Sequence, residues 1–309
     1  MKLGYIGLGK MGFNMVERLL EKGHQVAAFD RDANALGAIA AKGAQAPHSA
    51  SALAALLPVP RLVWIMVPHQ AVDAVLKELV PFLERGDTVI DGGNSPFKKS
   101  MQRAKELEAQ GIDFLDAGVS GGPVGARNGA CIMVGGSKEV FARFENLFRD
   151  LAVEDGYEYV GQSGAGHFVK MVHNGIEYGM MQALAEGFSI MKASGFYLDL
   201  GRIADLYDHK SVIESRLVDW LRSAYEAYGR DLNGVSGSAA QSGEGRWTVD
   251  AAKELGVAAP IIEGAVAFRL QSQKKPGYTG KIISALRNQF GGHEVGEENS
   301  KKKLEPVSR

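Results

Sequence analysis

The chain has 309 residues, 45% hydrophobic and 23% charged, with 35 Lys+Arg against 36 Asp+Glu and a formal net charge of −1. That length allows one or two domains with a sizeable core, and the near-neutral balance offers no field to recruit nucleic acid or an anionic membrane surface. The single cysteine, Cys131, excludes an intrachain disulfide and a multi-cysteine metal site. It reads as a small core residue in a strand.

The N-terminal MKLGYIGLG enters a strand at once, Lys2–Ile6, with no room for a signal peptide, and the expected location is the cytoplasm. No apolar run reaches the ~20 residues of a membrane span. Next come a helix over Met11–Lys22, a strand over Gln25–Phe29 and a helix over Ala33–Ala41. Leu62–Val67 is a continuous apolar strand of the kind buried on both faces of a parallel sheet. The alternation continues through a helix at Val72–Phe82, a strand at Thr88–Asp91, a helix at Lys98–Gln110 and a strand at Asp113–Asp116. A strand at Cys131–Val134, a helix at Glu139–Arg149 and a strand at Tyr157–Val160 complete it. Such βαβ repetition predicts an α/β, Rossmann-like doubly wound sheet over residues 1–162.

After Gly161-Gln162-Ser163-Gly164 the pattern turns helical. One long helix runs to about Ser194, and shorter ones follow at Leu200–Tyr207, Ile213–Tyr228, Arg246–Leu255, Pro260–Gln271 and Gly280–Gln289. An all-α domain for substrate binding and dimerisation is expected over 163–294, and the polar, Lys-rich stretch 295–309 reads as a disordered tail.

Gly7-Leu8-Gly9-Lys10-Met11-Gly12 is a G-x-G-x-x-G motif that follows a strand and opens a helix. Its glycines suit a tight turn and close approach to a pyrophosphate, and the helix N-terminus offers N–H groups to phosphate. Asp30 ends the second strand, where a carboxylate accepts from a ribose 2′-hydroxyl, so NAD is the expected cofactor. Arg31 beside it could stack on adenine or take a 2′-phosphate, leaving NADP possible. Three further segments fall at loop positions after strands: Met66-Val67-Pro68, Asp91-Gly92-Gly93-Asn94-Ser95 and Val119-Ser120-Gly121-Gly122-Pro123. Their glycines can present backbone N–H groups to an anion.

In GAGHFVKMVHNGIEY, residues 164–178, Lys170, His173, Asn174 and Glu177 share one face of a helix that is otherwise apolar, with Tyr178 beside them. A helix apolar on most sides is expected to be buried. A Lys and a Glu within it are costly to desolvate unless they have partners or a chemical task. A general base and a general acid fit that pattern.

Together with GLGKMG, DGGNS, SGGPVGA, GRWT and FGGH, this stretch resembles the 6-phosphogluconate dehydrogenases within the β-hydroxyacid dehydrogenase superfamily, over roughly residues 1–294. The resemblance implies oxidative decarboxylation of 6-phosphogluconate. Lys170 would act as general base and Glu177 as the acid that protonates the enediol. Asn94, His173 and Asn174 would hold hydroxyls, Ser120-Gly121-Gly122 the carboxylate end, and Tyr178 with Arg269 the phosphate. Asn94 and the segment Met66-Val67-Pro68 would also border the cofactor. It further implies that Arg287 and His293 reach in from a second subunit of a homodimer or tetramer.

Two positions depart from the pattern: Ser242 and Glu244 stand where the long-form enzymes have a phosphate-binding lysine and threonine. Arg246 could substitute with bidentate geometry, and either Glu244 points away or the phosphate is held differently. His24 reads as a turn residue, His48 and His69 as loop residues, His167 as a capping or packing group, and His209 as lacking a partner pattern. No His/Asp/Glu spacing resembles a metal site. Two other readings stay open: a 3-hydroxyisobutyrate-type dehydrogenase, and a nucleotide-binding regulatory protein without catalysis.

Overall fold

The computed structural model describes residues 1–296, so most of the predicted tail lies outside the described residues. Val295 is placed: its carbonyl accepts from Ser236 N–H at 2.6 Å and its side chain packs on the helical core. The chain divides into two compact units, one of Met1–His173 and one that begins at Asn174.

The first unit is built on seven strands: β1 (Lys2–Ile6), β2 (Gln25–Phe29), β3 (Leu62–Ile65), β4 (Thr88–Asp91), β5 (Asp113–Ser120), β6 (Ala130–Gly136) and β7 (Ala152–Gly161). They lie in the order β2-β1-β3-β4-β5-β6-β7. All neighbours are parallel except β5 and β6. Helices α1 (Lys10–Glu21), α2 (Ala33–Ala40), α3 (Ala50–Ala55), α4 (His69–Leu79), α5 (Phe97–Glu108), α6 (Gly122–Asn128) and α7 (Lys138–Leu151) connect them. Alternate residues feed two cores. Leu3, Tyr5, Trp64 and Ile90 pack with Phe148 on one side, and Ile6, Val63, Ile65 and Val89 with Leu79 and Leu107 on the other. The doubly wound sheet is therefore as the periodicity predicts.

Several elements differ from the sequence expectation. Helix α3 is only six residues long, too short for its buried Ala50, Leu53 and Ala54 to stand out as a helical period; Ser49 caps it, its hydroxyl accepting from Ala52 N–H at 3.1 Å. Strand β5 runs four residues further than expected, so Val119 and Ser120 lie on a strand rather than in a loop, and Gly122-Pro123 opens α6. The polar and small residues Asp116, Gly118 and Ser120 interrupt the hydrophobic signal there, and a proline suits the first turn of a helix. Cys131 is in a strand, as expected, but exposed, because Ile132 takes the inward position beside it. His24 is buried, its Nε2 2.8 Å from Asp150 Oδ2, and His69 opens α4. His209 finds a partner in the Asp205 carbonyl, 2.7 Å from Nδ1.

The long helix α8 (Ala165–Ala193) begins in the first unit, and the division falls inside it. It is not buried all round in the single chain: Val169, Ile176, Met180 and Ile190 are exposed. The second unit adds α9 (Leu200–Tyr207), α10 (Arg216–Tyr228), α11 (Glu244–Glu254), α12 (Pro260–Ser272) and α13 (Tyr278–Gly291). Met181, Phe188, Leu221, Leu232, Ile282 and Leu286 are among its core residues. No helix among the described residues is long and apolar enough to cross a membrane.

Candidate active site

At the sheet's switch point, β1 has β2 on one side and β3 on the other, and ligands of doubly wound folds bind at such a point. Gly7 leaves β1 with φ of 104°, and a Cβ there would lie 2.3 Å from the Met66 carbonyl oxygen. A Cβ on Gly12 would meet the Gly7 carbonyl oxygen at 2.0 Å, whereas one on Gly9 would face open space. Two glycines are thus demanded by the turn, and the third leaves room for a ligand. Helix α1 starts behind Gly9 with no side-chain cap and no acidic residue in its first turn, so its positive end is left for an anion. Lys10 and Met11 form that first turn.

Asp30 faces this loop. Its Oδ2 accepts from Leu8 N–H at 2.5 Å and its Oδ1 from Asp32 N–H at 2.8 Å. Arg31 is turned to Glu78, 3.0 Å away, with both side chains exposed. Met66-Val67-Pro68 leaves β3 beside the DGGNS loop, where a Cβ on Gly93 would come 2.7 Å from the Val67 carbonyl oxygen. Asn94 projects exposed from that loop. The residues present fit a dinucleotide: a pyrophosphate on the Gly7–Gly12 turn, a ribose at Asp30, and the nicotinamide end between the loops after β3 and β4.

A buried network that sequence reasoning missed holds the DGGNS loop. Asp91, with no exposure, accepts from Gly93 N–H (3.1 Å), Ser95 Oγ (2.7 Å) and Arg103 Nη1 (3.1 Å). Arg103, 3% exposed, also reaches Asp73 through Nε at 2.7 Å. Asp91 is therefore a scaffold residue rather than a ligand group. No short-range spacing signals a partner twelve residues away on another element.

Lys170 sits in the second turn of α8 and is only 7% exposed. One turn on, His173 Nε2 lies 3.2 Å from Ser120 Oγ at the end of β5. Gly121 and Gly122 follow with φ of 125° and 62°, a turn in the left-handed region that favours glycine. Within this unit the predicted Lys170, His173 and Ser120-Gly121-Gly122 therefore come from adjacent elements. Asn174, 8% exposed, Glu177 and Tyr178 continue along α8.

In the helical unit Tyr178 and Arg269 form one construction. The guanidinium carbon of Arg269 stands 3.4 Å from the Tyr178 ring centroid, and Gly245 packs on the same ring, where a Cβ would meet ring carbons at 2.5 Å. Gly175 likewise admits Thr248, so the GRWT motif is a helix-packing device that lets α11 lie close to α8. Arg269 is 2% exposed, and its guanidinium donates to the Ala240 carbonyl oxygen (3.3 Å) and to Met181 Sδ (3.5 Å). Burial, with the positive charge of Arg287 adding to it, lowers its pKa to about 10 despite the opposing influence of Tyr178, Glu177 and Glu244. Burial also lowers the pKa of Arg287, opposed by Tyr178, Glu244 and Glu177. Among the described residues the buried Tyr178 hydroxyl has no hydrogen-bond partner.

Two readings fail here. Glu244 does not point away: it is 6% exposed and lies within the field of both arginines. Its place as the first residue of α11 turns it inward, next to the Gly245 contact. Arg246, one step on, is exposed and bound to Asp250 on its own helix at 3.0 Å, so it is not part of this cluster. His293 stacks edge-on against Phe290, and its carbonyl accepts from Asn288 Nδ2 at 2.8 Å. Among the described residues no three His, Cys, Asp or Glu side chains are grouped to hold a metal.

A glycine cradle for a dinucleotide at the switch point, with a buried lysine opening a long helix, defines a nicotinamide-dependent dehydrogenase of the β-hydroxyacid kind. Family models agree: the NAD binding domain of 6-phosphogluconate dehydrogenase matches residues 2–161, and the 6-phosphogluconate dehydrogenase C-terminal domain matches 166–305. The chain belongs to the 6-phosphogluconate dehydrogenase family. It is 46% identical to YqeC of Bacillus subtilis, a protein provisionally assigned to this activity, over 95% of this chain and 98% of that one. It is 41% identical to the NAD(+)-dependent, decarboxylating 6-phosphogluconate dehydrogenase of Haloferax volcanii, covering 97% and 100%. Among solved structures, Plasmodium falciparum 6-phosphogluconate dehydrogenase superposes with a TM-score of 0.78 at 28% identity, over 89% of this chain and 62% of that one.

Proposed function

We propose that the protein oxidises and decarboxylates 6-phosphogluconate to ribulose 5-phosphate and CO2, with NAD preferred over NADP. The observation that carries this reading is the buried Arg269 stacked on a Tyr178 whose hydroxyl lacks a partner. A desolvated cation with no carboxylate hydrogen-bonded to it among the described residues fits a phosphate dianion. A 3-hydroxyisobutyrate-type substrate would bring no charge to that end.

The Gly7–Gly12 turn would hold the pyrophosphate of the cofactor, whose nicotinamide would supply the acceptor for the C3 hydride. Lys170 takes the proton of the C3 hydroxyl as the C3–H electron pair departs, leaving a 3-keto acid. The lysine, now protonated, donates to the new carbonyl oxygen, so the C1–C2 bond can break with its electrons drawn toward that oxygen and CO2 released. Glu177 then gives its proton to C1 of the five-carbon enediol while Lys170 takes back the proton of the C2 hydroxyl, leaving the ketone of ribulose 5-phosphate. Asn94, Ser120, His173 and Asn174 hold hydroxyls and carboxylate during these steps. A lysine taken out of water favours the neutral base that the first step needs.

The test follows reduced cofactor and CO2 with purified protein, 6-phosphogluconate and either NAD or NADP. Turnover is expected with both, faster with NAD; no turnover with either ends this reading. Asp30→Ala should narrow the ratio of kcat/KM between the cofactors, since the carboxylate would repel a 2′-phosphate. An unchanged ratio would place the preference elsewhere.

The exposed Val169, Ile176, Met180 and Ile190 on α8 support assembly into a homodimer or tetramer. The family pattern has Arg287 and His293 donated across subunits. The coupling of Arg287 to Tyr178, Glu244 and Glu177 of its own unit favours a second reading, in which Arg287 serves its own chain. Co-assembled Lys170→Met and Arg287→Ala subunits separate the two. Donation across a two-fold axis restores about a quarter of wild-type activity, and donation within the chain restores none.

A further inference from the structure

We propose that β5 is the template that positions Lys170, with Asp116 as a positioning residue for the base. The proposal rests on the reading of Lys170 as the base. Asp116, Gly118 and Ser120 alternate along the strand and so share one face, and each meets the start of α8. Asp116 is fully buried. Its Oδ1 accepts from Gly164 N–H at 2.6 Å and its Oδ2 from His167 N–H at 2.8 Å. A carboxylate 48 residues away in sequence thus caps the helix that carries the base, in place of a local cap. Its charge also opposes the positive end of that helix.

Gly118 sets the depth. A Cβ there would lie 2.3 Å from Lys170 Cβ and 2.9 Å from the Gly166 carbonyl oxygen. Gly166 itself would clash at 2.4 Å with the Asp116 carbonyl oxygen, and Gly135 on β6 at 2.6 Å with Gly166 N. Three glycines therefore let helix and sheet backbones touch, and the stem of Lys170 lies directly on β5. Ser120 closes the series one turn later through His173. His167 adds a lateral tie, its Nδ1 2.6 Å from Ser100 Oγ on α5. These contacts fix the height, rotation and depth of residues 164–173 at the start of α8. A base must be placed within a few tenths of an ångström to share a proton with a substrate hydroxyl, and a rigid support achieves that better than a loop.

Asp116→Asn and Gly118→Ala test this by separate routes. Asparagine offers one acceptor oxygen and one donor amide, so one of the two N–H groups loses its partner. Alanine at 118 pushes the Lys170 stem away. In each variant kcat should fall about 10- to 100-fold while KM for NAD stays within about twofold, because the glycine cradle is untouched. The kinetic isotope effect from C3-deuterated substrate should rise as hydride transfer becomes rate-limiting. Amide exchange over residues 164–170 should be about tenfold faster in Asp116→Asn, whether or not the enzyme turns over. Wild-type kcat in both variants, unchanged exchange in Asp116→Asn, or a rise in KM for NAD matching the fall in kcat each overturns the proposal. No turnover by the wild-type protein itself would count against the assigned reaction and not against this placement, which exchange reads alone.

Discussion

Lys170→Met should abolish hydride transfer, lowering the single-turnover rate of cofactor reduction by about 10²- to 10⁴-fold, the worth of a positioned general base. Methionine keeps the length and apolar contacts of the stem and removes the proton acceptor. Since Lys170 is 7% exposed, water has little access to replace it. Substrate and cofactor should still bind, as Tyr178, Arg269 and the Gly7–Gly12 turn are unaltered. Glu177→Gln should behave differently: one equivalent of reduced cofactor forms at a measurable rate, but ribulose 5-phosphate appears slowly because the enediol lacks its proton donor. Stopped-flow absorbance paired with CO2 and product analysis separates the steps. Equal loss of both in both variants would contradict a division of labour along α8.

The chain announces its parallel sheet because β3 and β4 are apolar runs buried on both faces, and it announces the cofactor turn because glycines are required at 7 and 12 by contacts with nearby backbone. The polar stripe of α8 is legible for the same local reason: helix periodicity puts Lys170 and Glu177 on one face. What supports that stripe is not legible. Asp116 and Gly118 read as the frayed end of a strand, since their partners lie some fifty residues on and no local spacing encodes them. Arg103 reads as one more charge on an exposed helix, yet it is buried against Asp91. Glu244 fails in the opposite direction. Electrostatics alone predicted that it would avoid an anion site, but the Gly245–Tyr178 contact fixes the start of α11 and carries Glu244 inward among Arg269 and Arg287. Packing decides where that carboxylate goes, and its charge then tempers a pair of arginines that would otherwise repel each other.

The arginine pair sets up the other large effect, and it has opposite signs for stability and for function. Lowering the Arg269 pKa from its ordinary value to about 10 corresponds to a penalty of about 3 kcal/mol on its charged form in the unliganded protein. Because the folded-state pKa is the lower one, the unfolded chain binds more protons above about pH 10, so this penalty is fully present at neutral pH and fades only above pH 10. Arg269→Met keeps similar volume against Tyr178 and removes a desolvated charge, at the loss of a cation–π contact worth about 2 kcal/mol when buried. The unliganded variant should therefore unfold in urea at the wild-type midpoint or above it. Its kcat/KM for 6-phosphogluconate should fall by at least about 10²-fold, mostly through KM, since a buried charge-assisted phosphate contact is lost. Inorganic phosphate should raise the Tm of the wild-type protein and leave that of Arg269→Met unchanged. A variant that is destabilised yet keeps its KM would show Arg269 to be a packing residue. The Tyr178 hydroxyl would then need another partner to explain its burial.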